Sequence, residues 1–137
     1  MSYITRSMAA LGYAFPAAVG SKLAHPQRQS VAVAGDGGFL FSSDALATAV
    51  QYKLNAVAVV FNDNCYGSIK DIQMGRFGRT IGVDLVNPDF VALAEAYGAA
   101  GRRVEKPEAL RDELTAAFER DVPTLIDVPI EADMDIV

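Results

Sequence analysis

Two acidic residues sit where chemistry on a charged ligand is feasible. Asp36 lies within Gly35-Asp36-Gly37-Gly38, and Asp63 lies within Phe61-Asn62-Asp63-Asn64-Cys65-Tyr66-Gly67. Each cluster follows a short run rich in Val and Ala, the pattern of a strand covered on both faces, so each is expected at a strand's carboxyl tip. Glycines at such a tip let the backbone approach an anion, and a following helix start offers unpaired N–H groups and a positive dipole. An acid in that turn repels phosphate unless a cation lies between them. Magnesium binds through one or two carboxylates plus substrate phosphates, which makes it the natural bridge. A second acid on a neighbouring tip sharpens this, because two facing carboxylates repel without a divalent ion. Taken singly, the residues also fit plainer readings: a glycine turn with Asp36 as local cap, a turn at Asn62, a solvated acid at Asp63. A dinucleotide fingerprint fails because Leu40 stands where its third glycine belongs, and a Walker loop fails for want of Gly-Lys-Ser/Thr. A phosphohydrolase needs a general acid two residues past its acid nucleophile, and Asp36 is followed by two glycines.

These tips need elements to hold them. Strands are expected over 30–34 and 56–61, with a helix over 42–54 between them. Leu46, Val50 and Leu54 give that helix its spacing, and Ser42 or Ser43 its N-cap. Strand, helix and strand form a βαβ unit with a right-handed crossover. Upstream, a helix over 14–24 has Pro16 in its first turn and ends at His25-Pro26. Downstream, Asn87-Pro88-Asp89 opens a helix that Gly98 ends, and a strand over 101–104 follows. Lys106-Pro107-Glu108 opens a helix to Arg120, and a strand over 124–130 closes the pattern. The alternation implies an α/β fold, a three-layer doubly wound parallel sheet with helices on both faces. The two acidic tips are expected to face each other across a reversal in strand order. Residues 66–86 read as one long irregular stretch, a kind of segment that is usually functional or mobile rather than filler.

The 137 residues suit a single domain over 1–137, and 51% of them are apolar. That share fits either a well-covered core or a surface meant to be hidden by partners. The net charge of −5, without a basic stripe, argues against nucleic acid as a partner. A single Cys65 excludes an internal disulfide and fits a reducing compartment. The opening Met-Ser-Tyr-Ile-Thr-Arg lacks the plan of a secretion signal, and the longest apolar run is far too short to span a bilayer. A soluble cytoplasmic protein without a membrane partner is the expectation. His25 is the only histidine, and no histidine lies near Cys65 in sequence, so no other catalytic set competes. Arg76-Phe77-Gly78-Arg79 reads as a solvated loop, with closure over an anionic substrate as the alternative.

Taken together, the two clusters resemble the signature of thiamine-diphosphate (ThDP) enzymes: G-D-G, a crossover, then N-N. Acetolactate synthase, benzoylformate decarboxylase and pyruvate decarboxylase share it, and the acetolactate-synthase pattern is most similar. Leu11-Gly12-Tyr13-Ala14-Phe15-Pro16-Ala17-Ala18-Val19-Gly20 resembles the family's helix ahead of the first strand. Leu46-Ala47-Thr48-Ala49 resembles its crossover helix, and Tyr66-Gly67-Ser68-Ile69 the segment after the second loop. Nearly the whole chain fits the family's pyrophosphate-binding domain.

The resemblance implies roles. Asp36, Asp63 and the backbone carbonyl of Cys65 would bind Mg2+. Gly35, Gly37, Gly38, Tyr66 and Gly67 would line the diphosphate. Leu11 would wedge ThDP into its bent shape, and the Ala9 carbonyl would accept from the aminopyrimidine. Asp63 departs from the family's Asn, which adds charge beside a diphosphate. Ala9 departs from a common Gly, and Ala45 from a common acid. No catalytic residue is expected in this chain, because the family's activating glutamate lies on a pyrimidine-binding domain that acts across a subunit interface. That domain, of the same or a second chain, is the implied partner in a homo- or hetero-oligomer acting on a small 2-oxo acid. FAD, used by some relatives, would depend on a middle domain. The resulting reading is part of a ThDP-dependent decarboxylase or carboligase, inactive alone, as a fragment or a split subunit. The alternative is a non-catalytic ThDP-binding module or remnant. Helices over 14–24 and 42–54 are expected to make the isolated chain self-associate.

Overall fold

The computed structural model describes residues 10–131. In chain order the elements are α1 (Ala14–Ala24), β1 (Val31–Gly35), α2 (Asp36–Leu40), α3 (Ala45–Gln51), β2 (Val57–Asn62), α4 (Gly67–Phe77), α5 (Phe90–Tyr97), β3 (Ala100–Arg103), α6 (Pro107–Phe118) and β4 (Thr124–Pro129). The strands form one sheet in the order β1-β2-β4-β3, every pair parallel. Parallel strands need crossovers, and here each crossover carries at least one helix.

Period-two alternation along the strands divides the core between the two faces. On one face Ala32, Ala58, Val60 and Leu125 pack with Phe15, Leu46, Phe90 and Ala94. On the other, Val57, Val59 and Ile126 pack with Leu110, Leu114, Ala117 and Phe118, which belong to α6. Helices therefore flank both faces, as the alternation implied. The cover is uneven. Val31 pairs with Val57 and Val33 with Val59, so both valines share the α6 face. Yet Val31 is 42% and Val33 61% exposed, because α6 packs over β2 and β4 and leaves β1 bare.

A row of three rings anchors the turn after β1. Phe39, on α2, sits 5.6 Å from Phe15 on α1 and 6.0 Å from Phe90 on α5, ring centre to ring centre. Such tilted pairs add about 0.5–1.5 kcal/mol each beyond burial. They fix the glycine-rich turn against two separate helices.

Three expectations need correction. The helix expected over 42–54 is only α3, and the glycine turn before it is itself helical as α2. Neither serine caps α3: Asp44 occupies that position without a side-chain cap bond, and Ser42 Oγ donates to the Gly12 carbonyl at 2.7 Å. The stretch over 66–86 is not irregular throughout, since α4 fills 67–77. That helix buries no residue, so it has no apolar stripe to betray its period.

Candidate cofactor site

The two acidic clusters meet at the carboxyl tips of adjacent strands. Gly35 pairs with Phe61, so Asp36 and the Asn62-Asp63 pair leave the sheet at one level. No reversal in strand order separates them. The chain steps from β1 to β2 and on to β3, and turns back only to insert β4, so the expected switch point between these tips is absent.

Asp36 opens α2 and is 1% exposed. Its Oδ1 accepts from Gly37 N at 2.7 Å, and its Oδ2 from Asn87 Nδ2 at 2.6 Å. Both donors are neutral, and none of the ion pairs among the described residues includes Asp36. A buried carboxylate balanced only by amides is costly, and a cation bound there would offset that cost.

The second loop is built tightly. Asp63 Oδ1 accepts from Cys65 N at 3.1 Å, and Asn64 takes a left-handed conformation at φ 58°, which Asn tolerates well. Cys65 pairs in an isolated antiparallel bridge with Asp84, closed by Tyr66 N to Val83 O at 2.8 Å and Leu85 N to Asn64 O at 2.7 Å. The Cys65 carbonyl takes part in neither bond. Burial first, then the Asp63 hydrogen bond and charge, push the Cys65 thiol up to about 11; Lys70 opposes this and Asp36 adds to it. The thiol is thus protonated at neutral pH and is no nucleophile.

The expected cofactor-lining residues mostly converge. The Tyr66 ring lies against Gly37 so closely that a Cβ there would strike it. Leu11 is 48% exposed and borders Gly38, with its Cδ2 3.6 Å from where a Cβ would stand. Gly67 begins α4 beside Asp63, where a Cβ would come within 3.0 Å of Oδ2. Gly35 has open space on its Cβ side. Two of the expected backbone donors are already engaged, Gly37 N–H by Asp36 and Tyr66 N–H by Val83. Ala9 lies outside the described residues.

Among the described residues, no three His, Cys, Asp or Glu side chains gather into a metal cage. A hard cation here would complete its shell from amide and backbone oxygens, water and phosphate. The donor chemistry fits that demand: besides Asp36 and Asp63, the buried Asn87 Oδ1 has no hydrogen-bond partner among the described residues. Asn87 itself was not foreseen as a site residue. Its partners lie 51 and 25 positions away in sequence, and no local motif marks it.

No helix among the described residues is long and apolar enough to cross a membrane. Comparison with known proteins agrees with the geometry. The sequence model for the thiamine pyrophosphate enzyme, C-terminal TPP binding domain, matches residues 1–128. Acetolactate synthase of Bacillus subtilis is 43% identical over 128 residues, which is 93% of this chain and 22% of that protein. The catabolic acetolactate synthase of Raoultella terrigena is 39% identical over 128 residues, again 93% of this chain and 23% of the relative. The solved ThDP-dependent 4-hydroxybenzoylformate decarboxylase of Rhodococcus jostii RHA1 superposes with a TM-score of 0.82 at 38% identity, over 88% of this chain and 23% of that one. The chain thus spans under a quarter of the length of these relatives. With a family match over nearly its whole length and the paired strand-tip loops in place, this chain belongs to the ThDP enzymes, as their C-terminal cofactor-binding domain.

Proposed function

We propose that this chain is a ThDP-binding module that grips the cofactor's diphosphate through a divalent cation and brings no catalytic side chain of its own. The observation that carries this is Asp36: a carboxylate at a strand tip, buried, and met only by neutral donors. Asp36, Asp63 and the Cys65 carbonyl would hold Mg2+. Gly38 and Gly67, at the starts of α2 and α4, offer backbone to the phosphates, and Gly37 and Tyr66 close the wall between them. Leu11, half-exposed beside Gly38, would support the bend of the cofactor. When bound, ThDP supplies a nucleophilic carbanion and an electron sink for 2-oxo-acid chemistry. The protein's part at this site is charge balance and orientation.

In the larger reading, the module works with a pyrimidine-binding domain, of the same or another chain, in an oligomeric decarboxylase or carboligase similar to acetolactate synthase. The narrower reading, that the module by itself only binds, rests on the buried Asp36 and the amide donors that meet it. Calorimetry with ThDP and Mg2+ tests both. Mg2+-dependent binding by the chain alone supports the module. Turnover of a 2-oxo acid only after a pyrimidine domain is added supports the enzyme. No binding under either condition refutes both. Replacing Asp63 with the family's Asn should lessen the dependence of ThDP binding on Mg2+; an unchanged dependence removes Asp63 from the cation site.

A further inference from the structure

A run of side-chain hydrogen bonds crosses the carboxyl end of the sheet from edge to edge. Arg103, at the end of β3, donates from Nε to Asp127 Oδ2 on β4 at 2.9 Å, and its Nη2 forms an ion pair with the same oxygen at 2.9 Å. Asp127 is fully buried, and its Oδ1 accepts from Asn62 Nδ2 at 3.0 Å. Asn62 ends β2, and its Oδ1 accepts from Asn87 Nδ2 at 2.9 Å. The same Asn87 nitrogen donates to Asp36 Oδ2, next to the end of β1. All four strands are therefore linked to the carboxylate at the cofactor site.

The run has a direction. An ionised carboxylate only accepts, so Asp127 obliges Asn62 to turn its NH2 toward β4 and its oxygen toward Asn87. That oxygen obliges Asn87 to present its NH2, whose two hydrogens serve Asn62 and Asp36. The Asn87 oxygen is left facing away, buried and without a partner among the described residues. Reversing either amide would set oxygen against oxygen or nitrogen against nitrogen in a buried place. The run thus ends on two hard oxygen acceptors, a buried carboxylate met by amide donors and an amide oxygen without a partner among the described residues.

We infer that Asn87 is a positioning residue for Asp36, its orientation imposed from the far edge of the sheet by Asp127 and Arg103. Asn87 holds Asp36 Oδ2 in place, so that the carboxylate's remaining lone pairs face the cation rather than rotate. The cation half of this inference rests on the diphosphate reading above; the orientation half does not.

The test has two arms. In the first, Mg2+ is titrated calorimetrically at saturating ThDP into wild type, Asn87→Ala and Arg103→Gln, with thermal melts confirming that each variant folds. Partners that orient metal ligands typically contribute 10–100-fold to affinity, so Asn87→Ala should weaken Mg2+ about tenfold or more, and Arg103→Gln by less. Wild-type binding with Asn87→Ala unchanged overturns the role of Asn87 and leaves the diphosphate reading standing. No binding by wild type sinks that reading, and the cation half with it. The second arm needs no cofactor. Side-chain amide resonances of Asn62 and Asn87 are compared by NMR in wild type and Asp127→Asn. Asp127 does not bond to Asn87, so a purely local role leaves the Asn87 amide pair in place, which overturns the imposed orientation. Movement of that pair, with the Arg103→Gln variant moving it in the same sense, supports it.

Discussion

Helices α4 and α5 flank the same loop and end the same way, yet the domain treats them oppositely. Each stops at a glycine in the left-handed region, Gly78 at φ 64° and Gly98 at φ 85°. Helix α5 buries Phe90 and Ala94 and is capped by Asp89, whose Oδ1 accepts from Val91 N and Ala92 N. Helix α4 buries nothing and has no side-chain cap. Its Ile69, Ile72, Met74 and Phe77 are exposed, and a paired contact ties it to the following loop, Gln73 with both backbone groups of Ile81. The difference teaches which helix is scaffold and which is offered outward. α5 belongs to the core beneath the site, whereas α4 starts at the site and turns its apolar residues away from this domain.

The sharpest way to break this comparison is to empty both sides of it. Phe90→Ala should cost about 3–5 kcal/mol in chemical denaturation, because a fully buried ring leaves a cavity. Phe77→Ala should stay within about 0.5 kcal/mol. Equal costs would show that α4 is scaffold too. Next in size is Gly101→Ala, at about 1–3 kcal/mol. A Cβ there falls 2.7 Å from Val91 Cα, and backbone cannot step aside without lifting α5 off β3. A wild-type-like denaturation midpoint would mean that α5 is less firmly seated than its burial indicates.

Smaller again is the acid limb of the α5 cap. The Ala92 and Val91 amides hold the Asp89 carboxyl below its ordinary 3.8, Arg103 assisting and burial opposing. A carboxyl lowered by folding contributes stability that is complete above that ordinary value. The contribution is lost as pH falls below it and through the folded value. Asp89→Ala should therefore lower the melting midpoint slightly at neutral pH and converge with wild type in strong acid. A gap that widens in acid would reverse the assignment. The smallest effect falls on α4: Ile72→Glu should leave stability nearly unchanged while reducing self-association in light scattering. The same measurement on Leu23→Glu probes α1, which buries Phe15, Ala18 and Val19 but leaves Leu23 58% exposed.

What the sequence conveyed follows the same division. Every strand lies within two residues of its expected limits, and β2, covered on both faces, is written as an almost unbroken run of Val and Ala. Helix α5 was legible end to end, with Asp89 and Gly98 as its punctuation. Helix α4 was not, since periodicity records burial and α4 has none. The cofactor site divides in the same manner. Asp36, Asp63 and the glycines were visible as short local clusters and fall together at neighbouring tips. Asn87, Asp127 and Arg103 carry no local signature; they become partners only once β4 slips between β2 and β3, a strand order the sequence does not spell out.

The packing of Tyr66 on Gly37 has a mechanical consequence. With a ring filling the gap that a methyl group would need, the two strand-tip turns are wedged into one unit and lack room to hinge separately. A pull on either turn is therefore transmitted to the other as a shift of both together, so this end of the sheet moves as one stiff jaw rather than as two independent lips.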